Sequence, residues 1–406
     1  MARPILPLLL LVAGLGHHAC GQRAFETPIR GTLSASSTSL NNSHLAFSLY
    51  RQLVAPDPET NVLFSPLSFS LPLTLLALYA KPEASAKILQ GLGIPLAKVS
   101  PERAHVYYSQ QLRSLLPSPD GCQIDMDSVL FVDKTWKMLQ KFIETAQTLY
   151  RTDVFYTSFK NEDFAKYEMD FFMKKKSNGK VGNIVQAFGL DTALILANYI
   201  LFKGKWKHGF NPELTEKRPF SVNNKITIQV PMMQGLGRFQ VQRFVHLHST
   251  VLRMPYMCNS TAIFILPDKG KVREAEEAVM KESFDTWTQS YPLRKKRLYF
   301  PKFFLSSNIQ LDKFLPTVGI SDMFSYHAGL SGFSLDIRPI KLAYAEQSAE
   351  LTVQEEGTAG DPNDLQFLDK DYLPALHFNR PFLMLVFEDS SRSLFFVGKV
   401  VTPKEI

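Results

Sequence analysis

The segment Thr192–Lys203 constrains this chain more than any other. It is almost continuously apolar, yet too short to cross a bilayer as a helix. A run of that kind fits the central strand of a sheet covered on both faces. Such a strand demands layers above and below it, and therefore a large mixed α/β core. A second stretch, Phe69–Ala80, is apolar all round and belongs inside the same core. Composition agrees: 45% of the 406 residues are hydrophobic and 20% are charged, which excludes disordered, collagenous and repeat-array chains.

The remaining pattern alternates. Leu45, Leu49 and Leu53 recur at helical spacing, with Asn41–Ser43 offering cap oxygens. Helices are expected over Glu83–Gln90, stopped by Gly91 and Gly93, around Lys141–Tyr150, and over Glu162–Lys176. Ile124, Met126, Leu130 and Val132 mark one face of a strand. Further strands are expected at Ile226–Met233, Thr261–Leu266, Arg297–Phe303 and Lys341–Gln354, with a closing hairpin of Phe382–Phe387 and Leu394–Val401. No Pro-rich or Gly/Ser linker divides the chain. One domain is expected over 41–406, behind a Ser/Thr-rich lead at 22–40.

The first residues set the compartment. Arg3, the apolar run Ile5–Leu15 and the small residues at its exit read as a secretory signal over 1–21, cut after Gly21 or, second, after Cys20. No later stretch is apolar and long enough to span a membrane, so the mature protein is expected to be extracellular. Its net charge falls from +7 to +6 (44 basic minus 38 acidic residues) once Arg3 is removed. That excess is dispersed and does not point to nucleic acid. Cys122 and Cys258 remain; they allow one pairing, and the expectation for two cysteines in so long a chain is that they stay free. Asn41 and Asn259 head glycosylation sequons.

Catalytic chemistry finds no support. Gly329-Leu-Ser-Gly332 lacks the second glycine of a nucleophile elbow, and Gly179-Lys-Val-Gly182 lacks the rest of a phosphate loop. His246 and His248 alternate on a possible strand but have no third metal ligand. The expectation is a protein that is no enzyme, with no cofactor and no metal. The basic runs Lys174–Lys176 and Arg294–Arg297 could grip a sulfated glycan, although a solvated helix end or strand edge is the better explanation for either.

Several ordered motifs carry a resemblance: Asn61–Ser68, Asn198–Trp206, Val230–Met233, Ile265–Asp268, Tyr299–Phe303, Leu376–Phe382 and Leu394–Val401. Together they resemble the serpin family, in its secreted antitrypsin-like branch, over nearly the whole mature chain. The resemblance implies a single-domain mixed α/β fold with three β-sheets, about nine helices and an exposed reactive loop, here about 357–375. In inhibitory members a serine protease cleaves that loop, which then inserts into the largest sheet and distorts the trapped acyl-enzyme. The resemblance also implies a polar cluster beneath the sheet opening, corresponding to Ser65, Ser68 and Asn198, with Gln347 where relatives keep a histidine. Glutamine still donates and accepts. Glu350 stands where relatives keep an apolar residue and reads as a partly exposed strand end.

The hinge Glu355-Glu356-Gly357-Thr358 matches the family, but Gly360-Asp361-Pro362-Asn363-Asp364 replaces the expected run of small residues. By the two-residue period, Thr358, Gly360, Pro362 and Asp364 would share one face on insertion, and the resemblance implies that this face turns inward. Pro362 would cost a ladder hydrogen bond, about 1–3 kcal/mol. Asp364 would carry a carboxylate into a core at several kcal/mol. The cleaved bond falls after Lys370 counted back from Phe378, or after Asp371 counted forward from Thr358. The leading expectation is a monomeric, non-inhibitory binding or carrier protein, for example for a small hydrophobic ligand. The alternative is a suicide inhibitor of an extracellular trypsin-like protease with Lys370 as bait.

Overall fold

The computed structural model describes residues 42–116, 121–185, 187–189, 191–327, 329–357 and 373–406. All lie in one compact unit, Ser39–Ile406. The expected signal peptide, the N-terminal lead, Asn41 and the loop residues Thr358, Gly360, Pro362, Asp364, Lys370 and Asp371 fall outside the described residues.

Among the described residues there are nine α-helices: α1 (Ser43–Val54), α2 (Pro66–Tyr79), α3 (Pro82–Gly91), α4 (Pro101–Leu115), α5 (Gln140–Tyr150), α6 (Glu162–Lys176), α7 (Val272–Val279), α8 (Phe284–Thr288) and α9 (Leu311–Phe314). The strands are β1 (Val62–Phe64), β2 (Cys122–Asp133), β3 (Thr152–Thr157), β4 (Leu194–Gly204), β5 (Glu216–Ser221), β6 (Thr227–Phe244) and β7 (Ser249–Pro255). They continue with β8 (Ser260–Pro267), β9 (Leu293–Pro301), β10 (Phe303–Gln310), β11 (Leu342–Val353), β12 (Ala375–His377), β13 (Phe382–Glu388) and β14 (Leu394–Val400).

One sheet has the order β10-β11-β4-β2-β3, with β4 at its centre. The apolar run divides by the period of two, as a doubly covered strand must. Ile195, Ala197, Tyr199 and Leu201 pack with Ala165, Met169 and Met173 of α6. Leu194, Leu196, Ile200 and Phe202 face the main core, which includes α2. That helix has no polar face to spare: every residue from Pro66 to Ala77 is buried. Its start is fixed by Ser65, whose hydroxyl accepts from the Ser68 amide at 3.2 Å, and by Pro66 in the first turn. The other sheet runs β1-β14-β13-β8-β7-β6-β9-β12, with β5 also on β6. Two of the three expected sheets are thus hydrogen-bonded into one nine-stranded sheet, because β6 is long enough to run through both.

Three local expectations are corrected. Cys122 and Cys258 form a disulfide, their Cα atoms 5.6 Å apart. Cys122 opens β2 opposite Gly204, and the β7–β8 turn carrying Cys258 folds against the next residue, Met257 N donating to Lys205 O at 2.9 Å. Contact across 136 residues leaves no local trace in the sequence. His246 and His248 occupy the β6–β7 turn, not a strand; His248 has φ +45° and His246 Nε2 lies 3.3 Å from Glu282. Asn42 holds the N-cap position of α1, but its side chain faces away from the helix: Oδ1 accepts from Leu394 N at 2.8 Å and Nδ2 donates to Leu394 O at 3.0 Å.

Candidate functional site: the sheet opening and the loop hinge

β4 and β11 run parallel as direct neighbours, in register from Leu194–Leu342 to Lys203–Thr352. A strand entering the five-stranded sheet at its middle would have to separate this pair. Beneath the seam, the four expected cluster residues come together, each 0% exposed. Gln347 and Asn198 are register partners across the seam. Gln347 Oε1 accepts from Ser65 N at 2.9 Å. Its Nε2 lies within donating distance of Ser65 O (2.9 Å), Ser68 Oγ (2.7 Å) and Asn198 Oδ1 (3.2 Å). Ser68 Oγ donates to Asn198 Oδ1 at 2.7 Å, and Asn198 Nδ2 donates to Ser128 Oγ at 3.0 Å. An amide at 347 therefore ties the start of α2 to both strands of the seam. Every buried polar atom of Gln347 has a partner, so the cluster needs no charge.

The hinge is held at the far end of the same seam. Trp206, buried and stacked on Tyr256 with centroids 4.2 Å apart, donates its indole N–H to Gln354 O at 2.8 Å. Backbone amides continue the attachment: Trp206 N to Glu356 O at 2.9 Å and Phe210 N to Glu355 O at 3.0 Å. The Glu355 carboxylate, 7% exposed, accepts from Thr215 Oγ1 and Lys302 Nζ, each at 2.9 Å. Burial raises its pKa, but these hydrogen bonds outweigh burial and hold it below the usual range. Glu356 meets Lys203 at 3.0 Å on the surface. Gly357 bridges to Trp206, and a Cβ there would sit 2.6 Å from Gly209 Cα and Trp206 O. Only glycine lets the two backbones approach so closely.

Glu350 is not a strand end. It lies within β11, half-buried between Ser306 and Leu201, and burial raises its pKa against the nearby charge of Lys180. Asn259 is exposed in the β7–β8 turn, its amide donating to Glu388 Oε1 (2.7 Å) and Ser390 Oγ (2.8 Å). The basic run at the end of α6 is partly neutralised, Lys174 by Asp170 and Lys176 by Asp153. Among the described residues no group of three or more His, Cys, Asp or Glu could hold a metal, and no helix is long and apolar enough to cross a membrane.

A central strand covered on both faces, a parallel β4–β11 pair over a buried polar cluster, and an anchored Glu355–Gly357 hinge define a protein of the serpin class. The comparisons agree. The family described as Serpin (serine protease inhibitor) matches residues 40–403. The alpha-1-antitrypsin-like protein GS55-MS of Ictidomys tridecemlineatus is 34% identical over 403 residues, 97% of each chain. Alpha-1-antitrypsin 1-5 of Mus musculus is 37% identical over 364 residues, 89% of this chain and 88% of its own. Human thyroxine-binding globulin, solved with thyroxine, superposes with a TM-score of 0.82 at 33% identity, covering 90% of this chain and 98% of that one. Mouse protein-Z dependent protease inhibitor superposes with a TM-score of 0.81 at 28% identity, covering 90% and 97%. The chain belongs to the serpin family and resembles its antitrypsin-like members.

Proposed function

We propose that this serpin is secreted, with residues 1–21 removed, and that it works by binding a ligand rather than by trapping proteases. The observation carrying the reading is Gly360-Asp361-Pro362-Asn363-Asp364, which follows a family-like hinge with residues suited to solvent. Insertion would also have to replace the existing β4–β11 ladder, and Pro362 could not restore its share. Trapping is a race between insertion and hydrolysis of the acyl bond. About 3 kcal/mol added to the insertion barrier slows that step roughly a hundredfold, so cleavage would release a nicked product. A carrier role has a precedent in thyroxine-binding globulin, whose structure holds thyroxine. Glycans at Asn41 and Asn259, a monomeric state and no catalytic activity complete the reading.

A second reading rests on the anchored Glu355–Gly357 hinge: inhibition of a trypsin-like protease with Lys370, or the next bond after Asp371, as the point of attack. Incubation with trypsin separates the two. The expected result is a nicked protein, no detergent-stable complex, and little gain in melting temperature after cleavage. Replacing Asp361–Asp364 with alanines should raise that gain and restore some trapping. A stable covalent complex with the unaltered chain refutes the non-inhibitory reading.

A further inference from the structure

A cavity of about 610 Å³ opens between the β5–β6 turn at Val222–Asn224, the start of α7 and the Asn379–Pro381 approach to β13. Its size lies within the range of small-molecule sites. Val222, Val272, Pro381 and Val401 contribute apolar wall. Six charged residues also line it: Lys269, Arg273 and Arg380 against Glu59, Asp268 and Glu276.

The formal balance is zero, but two of the three acids are already offset by cations from outside the cavity. Asp268 is gripped by both terminal nitrogens of Arg243, at 2.9 and 2.5 Å. Glu276 meets the fully buried Lys399 at 3.0 Å and accepts from Tyr50 OH at 2.7 Å. Glu59 accepts from Asn223 Nδ2 at 3.3 Å. Arg243 and Lys399 do not themselves line the cavity. No carboxylate among the described residues lies within ion-pair distance of Lys269, Arg273 or Arg380. Arg380 is half-buried and is oriented by hydrogen bonds to Pro267 O (2.8 Å) and Asn379 Oδ1 (3.4 Å), and its second terminal nitrogen has no acceptor among the described residues. Lys269 and Arg273 are exposed at the rim. The walls are thus apolar with an excess of cationic donors, including an oriented guanidinium with one terminal nitrogen left to meet an oxyanion.

We propose that this cavity binds an amphiphile with one anionic head, a carboxylate or a sulfate, on a compact apolar body. This deepens and rests on the binding-protein reading above by naming the site and the ligand class.

The test is calorimetric titration of the intact protein with dodecanoate and with dehydroepiandrosterone sulfate, each beside its uncharged counterpart, dodecanol and dehydroepiandrosterone. One anion at least should bind saturably at 1:1, tenfold or more tighter than its neutral twin, and the better anion identifies the source. Lys269→Glu combined with Arg273→Glu should weaken binding at least thirtyfold with an unchanged melting curve, since both side chains stand in solvent. Arg380→Lys keeps the charge but loses the terminal nitrogen that the Pro267 and Asn379 hydrogen bonds hold in place, and should weaken it about tenfold. Absence of binding by both anions, equal binding of the neutral twins, or wild-type affinity in the double variant overturns the proposal. The protease assay is independent: a stable protease complex would sink the binding-protein reading while leaving a measured anion site intact.

Discussion

The Cys122–Cys258 bridge yields a prediction that can be worked from the fold. It joins the first residue of β2 to the β7–β8 turn and closes a loop of 136 residues in sequence separation. The loop-closure relation assigns a loop of that size about 5 kcal/mol at 25 °C, an upper figure because residual structure in the unfolded chain already limits its freedom. Replacing both residues by alanine leaves no buried hydroxyl, which matters because each half-cystine is only 6% exposed. The expected loss is therefore about 3–5 kcal/mol. For a body the size of residues 40–403, the unfolding entropy is roughly 0.75 kcal/mol/K, so the melting temperature should fall by about 4–7 °C. Scanning calorimetry of the Cys122→Ala/Cys258→Ala variant, beside the wild type with and without reductant, measures this. Reduced wild type should melt with the variant. A shift under about 1 °C, or two free thiols titrated in the native protein, would refute the reasoning.

Two further outcomes follow from buried charges. Lys399 is 0% exposed and its ammonium is met by Glu276 and, at 2.7 Å, by Pro58 O. Glu276→Ala should cost about 3 kcal/mol or more by stranding that charge, lowering the melting temperature by about 4 °C, whereas Glu276→Met/Lys399→Met should recover most of the loss; equal losses in the two variants would contradict this. Glu346, 2% exposed in β11, has its pKa pushed up to about 7, first by burial and then by the neighbouring Asp312 charge. A raised carboxyl pKa means the folded state holds a proton that the unfolded state has released. The penalty therefore grows as pH rises from about 4.5 through 7 and is absent below that window. Glu346→Gln should stabilise the protein at pH 8 by on the order of 2 kcal/mol and have no such effect at pH 4, as melting curves across pH would register; a pH-independent effect would count against it.

How much of this could be read in advance depends on the range of the interaction. β4, α6 and β11 were legible because each is long and carries a strong apolar signal, an unbroken run in β4. The expected strand Arg297–Phe303 instead divides at Lys302 into β9 and β10, which belong to different sheets; periodicity shows extended backbone but not the switch of partner. α4 could have been found. Ala104, Tyr108, Leu112 and Leu115 are buried at helical spacing behind a Ser100 cap and Pro101. β5 and β7 are poorer signals, since β5 (EKRPFS) is largely polar and β7 is short. At the site, Ser65, Ser68, Asn198 and Gln347 were identifiable from motif resemblance, though not from physics: four polar residues separated by up to 282 positions announce no common cluster. The partners of Glu355, Thr215 and Lys302, carried no signal, because an isolated threonine and lysine look like ordinary surface.

The hinge shows why fold and activity separate in this family. What fixes Glu355–Gly357 is a set of structural demands: the indole of Trp206 seeking an acceptor, a buried carboxylate needing Lys302, and two glycines packed backbone to backbone. Those demands exist whether or not the following segment ever becomes a strand. A non-inhibitory serpin would retain them to keep the end of β11 closed, and an inhibitory one would retain them until the moment of insertion. Thyroxine-binding globulin and protein-Z dependent protease inhibitor accordingly superpose on this chain almost equally well, at 0.82 and 0.81. The overall fold thus does not separate a carrier from an inhibitor, and weight on function shifts to the residues beyond the hinge. There the chemistry is local and unequal: alanine keeps its backbone donor and carries no charge, whereas proline removes a donor and aspartate brings a charge that the core must neutralise.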